Sequence, residues 1–224
     1  MLKNPKIAVL ASGLAFFAAF AIFNLVSHQA VSAEQEKSAA AGAVSSEPTA
    51  EQQLPDMTMG KADAPVTIIE YASLSCPHCA AFEKDVFPAL KSEYIDTGKA
   101  RYIMREFPHN EQGLAAAVVA RCLDPSRYFA FIEMLFSKQN DWAFKDDALP
   151  PLKQLAKQAG MSEAEFDKCI DDEALQKKIL AIRAQGEKMG VTGIPTLFVN
   201  GKIVKGAATL ENLAAAMKPY LSTQ

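Results

Sequence analysis

The pattern of apolar and polar positions changes its period along the chain and divides it into segments. Residues 66–71 form a β-branched, apolar run typical of a strand, and residues 99–106 form a second one. A helical pattern begins at Pro77, and Pro88 is expected to kink or end its first segment. Residues 111–189 have helical spacing throughout, so a block of helices follows the second strand.

Capping signals locate helix starts inside this block. Asp124 followed by Pro125 predicts an N-cap and a first-position proline for a helix over residues 126–138. Ser162 with Glu165 three residues later has the spacing of a capping box, which predicts a further short helix.

Two short strand patterns follow the block. Residues 196–199 and 202–205 flank Asn200-Gly201, a pair of residues that favours a two-residue hairpin turn. An amphipathic helix is predicted over residues 210–220. Strands therefore lie on both sides of the helical block, which indicates an α/β fold with a helical insertion at about residues 110–190.

The first 33 residues have the pattern of an export segment. Residues 1–6 are short and basic, and residues 7–26 are almost continuously apolar and long enough to span a bilayer. Residues 31–33, Val-Ser-Ala, match a signal-peptidase site. The segment is therefore either a signal peptide cleaved near Ala33 or an inner-membrane anchor formed by residues 7–26. Both interpretations export the rest of the chain.

Composition narrows the possible functions further. The 224 residues include 23 basic and 26 acidic side chains, a net charge of −3, so nothing favours a nucleic-acid partner. Residues 34–56 are rich in Ala, Ser, Glu and Gln and are expected to form a flexible linker. The remaining residues, 57–224, are enough for one large domain with an insertion.

The candidate chemistry is concentrated in Cys76-Pro77-His78-Cys79. Because proline is favoured at the first helical position, Cys76 is expected at the amino end of a helix, where the helix dipole and unpaired N–H groups stabilise a thiolate. Cys79, one turn later, faces the same side and can close a disulfide. The pattern predicts a redox site. Half of a zinc site and a purely structural bridge are the alternatives.

Two further residues are candidates for the same site. Glu70 lies in the first predicted strand, and a carboxyl group buried there has a raised pKa, whereas an edge strand would expose it. His78 is expected to stabilise the Cys76 thiolate as a hydrogen-bond donor or partial positive charge. The alternative for His78 is an exposed spacer.

The motif Cys-Pro-His-Cys after a strand, together with Gly193-Ile194-Pro195-Thr196, resembles the DsbA family of thioredoxin relatives over residues 59–221. This resemblance implies a thioredoxin fold with a helical domain inserted between its βαβ and ββα halves. It also implies a cis Ile194–Pro195 bond facing the cysteines, which presents the backbone of residue 194 to substrate and keeps metal away. In that family, an acidic residue at the position of Glu70 passes protons to and from the resolving cysteine.

The resemblance further implies a periplasmic thiol:disulfide oxidoreductase that forms disulfides in unfolded, reduced exported proteins. Re-oxidation by a quinone-linked thiol oxidase of the membrane is implied as well. We expect no cofactor and no bound metal, and we expect a monomer, soluble or tethered to the membrane. A disulfide isomerase or reductase is the alternative in redox chemistry, and a metal-sequestering thioredoxin-like module is the alternative outside it.

Cys122 and Cys169 lie on two helices of the predicted block. Four cysteines in an exported chain form an even set, and a redox pair at Cys76 and Cys79 leaves these two for each other. A structural disulfide is therefore expected. Two buried free thiols and a second redox pair are the alternatives.

Overall fold

The computed structural model describes residues 54–221, so the predictions for residues 1–33 and 34–53 lie outside the described part of the chain. This part contains the strands β1 (Met57–Met59), β2 (Val66–Ala72), β3 (Ala100–Glu106), β4 (Thr196–Val199) and β5 (Lys202–Ile203). They form one sheet in the order β1-β3-β2-β4-β5. β2 pairs parallel with β3 and antiparallel with β4, so the strand that leads into the CxxC motif is central.

Helices cover both faces of this sheet. Those described are α1 (Pro77–Asp85), α2 (Phe87–Leu90), α3 (Glu111–Cys122), α4 (Tyr128–Ser137), α5 (Gln139–Trp142), α6 (Leu149–Gln158), α7 (Glu163–Ile170), α8 (Glu173–Lys188) and α9 (Leu210–Leu221). Helices α3 to α8 all lie between β3 and β4 along the chain. The mixed α/β architecture with a helical block between two strand-bearing segments is the one that the periodicity predicts.

Local signals set several boundaries, with two differences from the prediction. The capping box at Ser162 is present at the start of α7. Asn200 and Gly201 have φ angles of 44° and 78° and form the hairpin turn, but β5 ends at Ile203, before the predicted residue 205. Asp124 caps a 3₁₀ turn, Pro125–Arg127, and α4 begins only after it, because the side chain of Asp124 accepts from Ser126 N two residues later.

The main core lies between one face of the sheet and helices of the block. Ile68 of β2 and Tyr102 of β3 point into it, and both are almost completely buried. Trp142 is fully buried there, and its indole Nε1 donates to the carbonyl oxygen of Leu135 at 2.9 Å. The polar atom of this buried ring therefore has a hydrogen-bond partner.

The opposite face of the sheet carries a smaller apolar cluster around Tyr71, which contacts Phe107 and Phe198 edge to face. Helix α8 approaches this cluster closely at Gly186. A Cβ atom at that position would lie 2.7 Å from the Tyr71 ring. The absence of a side chain at residue 186 is therefore what lets α8 pack against the central strand.

The first residues that the structure describes lie against the domain. Leu54 packs on the main core, and the Pro55 carbonyl oxygen accepts from Arg121 Nη1 at 2.6 Å. Asp56 pairs with Arg105 at 2.9 Å. Residues 54–56, at the carboxyl end of the stretch assigned to the linker, are thus held by contacts. Within residues 54–221, none of the helices has the length and apolar character that crossing a membrane requires.

Candidate redox site

The CxxC motif lies where β2 ends and α1 begins. Cys76 is the N-cap residue of α1, with extended backbone angles, and Pro77 occupies the start of the helix. The Cys76 N–H donates to the Ser73 carbonyl oxygen at 3.0 Å, which turns the chain into the helix. Cys79, one turn later, is fully buried, whereas Cys76 keeps 6% of its surface exposed. Both are free thiols, so the structure shows the reduced form.

The two sulfurs differ strongly in acidity. The pKa of Cys76 is lowered from 9.0 to about 5, chiefly because the Cys79 thiol donates a hydrogen bond to its sulfur. Burial opposes this effect, whereas the backbone N–H groups of Cys79 and His78 and the charge of His109 favour the thiolate further. The pKa of Cys79 is raised by its hydrogen bond to Cys76, by burial and by the nearby Glu70. Cys76 is thus the thiolate at neutral pH, and Cys79 keeps its proton.

His78 contributes to the site through its backbone rather than through the side chain that the sequence analysis expected to stabilise the thiolate. Its side chain is exposed, and among the described residues its imidazole forms no hydrogen bond. Its backbone N–H, at the start of α1, is what favours the Cys76 thiolate. The imidazole whose charge favours the thiolate is that of His109, a residue to which the sequence analysis gave no role.

Glu70 lies on the central strand with its carboxyl group in the main core. Only 2% of its surface is exposed, and Tyr102 Oη donates to Glu70 Oε2 at 2.5 Å. Burial raises the pKa of Glu70 to about 8, although the tyrosine hydrogen bond lowers it in part. The expectation of a buried carboxyl with a raised pKa is met, because β2 is central rather than an edge strand.

The loop before β4 completes one side of the site. The Ile194–Pro195 peptide bond is cis, and the Ile194 carbonyl oxygen lies 3.9 Å from Cys76 Sγ. Thr196 Oγ1 donates to the Gly193 carbonyl oxygen at 2.6 Å and closes the turn. The site therefore presents backbone polar groups of residue 194 beside the reactive sulfur.

A polar cluster that the sequence analysis missed supports the turn before Cys76. Ser73 Oγ lies 3.2 Å from Ser75 Oγ and 2.9 Å from His109 Nδ1. Ser75 Oγ donates to Asn110 Oδ1 at 2.7 Å, and the same oxygen accepts from Gly113 N and caps α3. A usable signal existed: His109 and Asn110 lie three and four residues after the end of the predicted strand 99–106, and parallel neighbouring strands end at one edge of a sheet.

The second pair of cysteines forms a disulfide away from the redox site. Cys122 ends α3 and Cys169 lies in α7, and their Cα atoms are 6.2 Å apart. The bond joins two helices of the block across 47 residues of sequence. In residues 54–221, no group of three or more His, Cys, Asp or Glu side chains is placed to hold a metal ion.

Comparisons with known proteins agree with this geometry. The thioredoxin family model matches residues 52–219. The crystal structure of Wolbachia pipientis α-DsbA1 superposes with a TM-score of 0.69 at 31% identity, covering 77% of this chain and 95% of that one. The oxidised BdbD structure from Bacillus subtilis gives a TM-score of 0.68 at 27% identity, covering 78% of this chain and 96% of that one.

Relatives by sequence carry related names. Disulfide bond formation protein D of Bacillus subtilis is 28% identical over 184 residues, 80% of this chain and 82% of that protein. A Rickettsia typhi protein, named provisionally as a protein-disulfide oxidoreductase, is 33% identical over 173 residues, which make up 75% of this chain. The chain spans about three fifths of the length of such Rickettsia relatives, 63% in this case.

Proposed function

Since the chain belongs to the thioredoxin family and, within it, to the DsbA proteins, we propose that it introduces disulfide bonds into exported proteins through Cys76 and Cys79. One observation carries this proposal. Cys76 is the N-cap of α1, where its thiolate is stabilised, and its partner Cys79 is buried and keeps its proton. A pair with this asymmetry has one sulfur that substrate can reach and that leaves readily.

The reaction begins with the oxidised pair. A substrate thiolate attacks Cys76 Sγ, the Cys76–Cys79 bond breaks, and its electron pair goes to the Cys79 sulfur. A second substrate thiolate then attacks the substrate sulfur of the mixed disulfide and releases Cys76 as a thiolate. The substrate loses two electrons and the enzyme gains them. Because the Cys76 thiolate is stabilised, the reduced enzyme is favoured and its disulfide is oxidising.

The Cys79 sulfur needs a proton when it leaves, because it is fully buried. Glu70 is suited to supply that proton. Its pKa of about 8 keeps the carboxyl protonated at neutral pH, and its charge, once formed, disfavours a thiolate at Cys79. In the reverse direction the carboxylate takes the proton back. Glu70 and Cys79 thereby carry at most one negative charge between them.

Ile194 and Pro195 form the docking edge for substrate in this proposal. The Ile194 carbonyl oxygen lies beside Cys76 Sγ and is free to accept from the backbone of an extended substrate segment once that sulfur is bonded to substrate. Hydrogen bonds to backbone groups do not depend on side chains, so such an edge suits the varied sequences of unfolded proteins.

The relative named disulfide bond formation protein D points to a reaction that needs an oxidising compartment, and we place this chain in the periplasm, soluble or held by residues 7–26. Its re-oxidation would come from a membrane thiol oxidase that passes two electrons to a quinone. Disulfide formation needs such an acceptor, since each turnover leaves the enzyme two electrons richer.

The equilibrium of the Cys76–Cys79 pair with glutathione tests the proposal. The full chain is incubated across ratios of reduced to oxidised glutathione, and the reduced fraction is measured by alkylation and mass spectrometry. We expect the pair to stay reduced even where oxidised glutathione prevails. An equilibrium near that of glutathione itself would instead assign a reductase or isomerase. Absence of cycling combined with tight metal binding would assign a metal-sequestering module.

A further inference from the structure

The loop between β3 and α3 brings a second histidine to the redox site. Because β2 and β3 run parallel and pair along their length, the residues that follow both strands lie at the same edge of the sheet. The turn that leads to Cys76 follows β2, and His109 follows β3. Ser73 and His109, which are 36 positions apart in sequence, therefore meet because of the strand topology.

Ser73 joins this histidine to the reactive cysteine. Its hydroxyl lies 2.9 Å from His109 Nδ1, and its carbonyl oxygen accepts the Cys76 N–H at 3.0 Å. Ser73 is buried, with 1% of its surface exposed, and its hydroxyl also contacts Ser75 Oγ, so it is not free to move. Ser73 therefore contacts His109 through its side chain and Cys76 through its backbone.

We propose that His109 is a positioning residue for the redox reaction: held by Ser73, its imidazolium stabilises the Cys76 thiolate from outside the CxxC motif. The inference rests on the proposed function and deepens it, since it names a group that sets how strongly the pair oxidises. The electrostatic effect of His109 on Cys76 agrees with this arrangement. His78, inside the motif, contributes a backbone N–H instead.

Other charged groups surround the loop and are common to every variant tested below. Arg183 of α8 donates to the Pro108 carbonyl oxygen at 2.8 Å and pairs with Glu187 at 3.0 Å. Glu111 lies in the first turn of α3. Both Arg183, which is paired with its carboxylate, and Glu111 are unchanged in these variants, so differences between the variants come from residue 109.

The proposal is tested with His109→Gln, which removes the charge but keeps a side chain that can hydrogen-bond to Ser73, and with His109→Lys, which keeps a positive charge. Each is made alone and in a His78→Gln background. Thiolate absorbance at 240 nm gives the Cys76 titration of the reduced full chain, and the glutathione equilibrium gives the oxidising strength. A thermal unfolding scan of each variant shows that it is folded.

We expect His109→Gln to weaken the thiolate and to shift the glutathione equilibrium towards the disulfide by about three- to tenfold, the effect of one nearby charge that is partly screened by water. His109→Lys should recover most of the shift. The same differences between the variants are expected in the His78→Gln background, because the charge of His109 acts from outside the CxxC motif.

An unchanged Cys76 titration in His109→Gln would overturn the proposal, and so would an equal loss in His109→Lys, since a purely structural role would not be rescued by charge. These outcomes are independent of the proposed function. The wild-type equilibrium with glutathione decides whether the chain is an oxidase, whereas only the difference between variants reports on His109.

Discussion

Replacement of Glu70 by glutamine isolates the free-energy effect of burying a carboxyl group beside the redox pair. Burial raises its pKa from an ordinary 4.5 to about 8 in the folded protein. Below pH 4.5 the group is neutral in both the folded and the unfolded chain. Between pH 4.5 and 8 the unfolded chain ionises while the folded protein keeps its proton, so the free energy of unfolding falls by about 1.36 kcal/mol per pH unit.

The full pKa shift of Glu70, from 4.5 to about 8, corresponds to a loss of about 5 kcal/mol in the free energy of unfolding. This loss is large for a domain whose total stability is about 5–15 kcal/mol. Glutamine has nearly the same shape and can still accept from Tyr102, but it does not ionise. We therefore expect Glu70→Gln to match the wild type near pH 4.5 and to be more stable by about 5 kcal/mol above pH 8. Urea unfolding of the reduced proteins at several pH values measures this difference.

The lowered pKa of Cys76 acts in the opposite direction, since it adds stability that is present at high pH and lost as pH falls through 5. That contribution is present in both proteins and cancels when they are compared. Tyr102→Phe is the matched control: it removes the hydrogen bond that lowers the pKa of Glu70, so its stability should fall over a wider pH range. Parallel stability curves for wild type and Glu70→Gln between pH 5 and 8 would refute the reasoning.

Three further substitutions test the structural parts of the molecule by urea unfolding. Replacing both Cys122 and Cys169 with alanine opens the loop of 47 residues and should lower stability by about 4 kcal/mol in the chain-entropy model, with the glutathione equilibrium of the CxxC pair retained. Arg121 forms an ion pair with the buried Glu106 carboxylate. Arg121→Met removes this cation and leaves the hydrogen bond from Tyr128 Oη, which should cost about 3–5 kcal/mol, a loss that Glu106→Gln in the same chain should largely restore. Gly113→Ala places a Cβ atom 2.7 Å from the Oγ atoms of Ser73 and Ser75 and should lower stability by about 1–3 kcal/mol. It should also alter the Cys76 titration, and an unchanged titration would show that the serine cluster does not position the cysteine.

Much of the site is predictable from the sequence because its signals are local. Pro77 after Cys76 is enough to place the cysteine at a helix start, and the apolar run around Glu70 is enough to predict the strand that carries it. The two outer halves of the domain and the helical block between them follow from periodicity in the same way. Each of these inferences depends on residues within one or two turns of one another.

The remainder depends on pairing between distant strands, which periodicity does not report. His109 reaches Ser73 only because β3 pairs with β2 in parallel and in one particular register. From the motif alone, His78 is the obvious imidazole, yet its side chain points into solvent. The delayed start of α4 has a local cause instead: the Asp124 side chain accepts from residue 126 and tightens the first turn into a 3₁₀ helix.

The opposite pKa shifts of the two cysteines have one main cause, the hydrogen bond that the Cys79 thiol donates to the Cys76 sulfur. The N–H groups of the first turn of α1 favour the Cys76 anion further, whereas burial disfavours the anions of Cys79 and Glu70. Two anions side by side in the core would be more costly still. In the proposed reaction we therefore expect the neighbouring carboxyl group to give the proton when the Cys79 sulfur is released, which would couple electron transfer at Cys76 to proton transfer at Glu70.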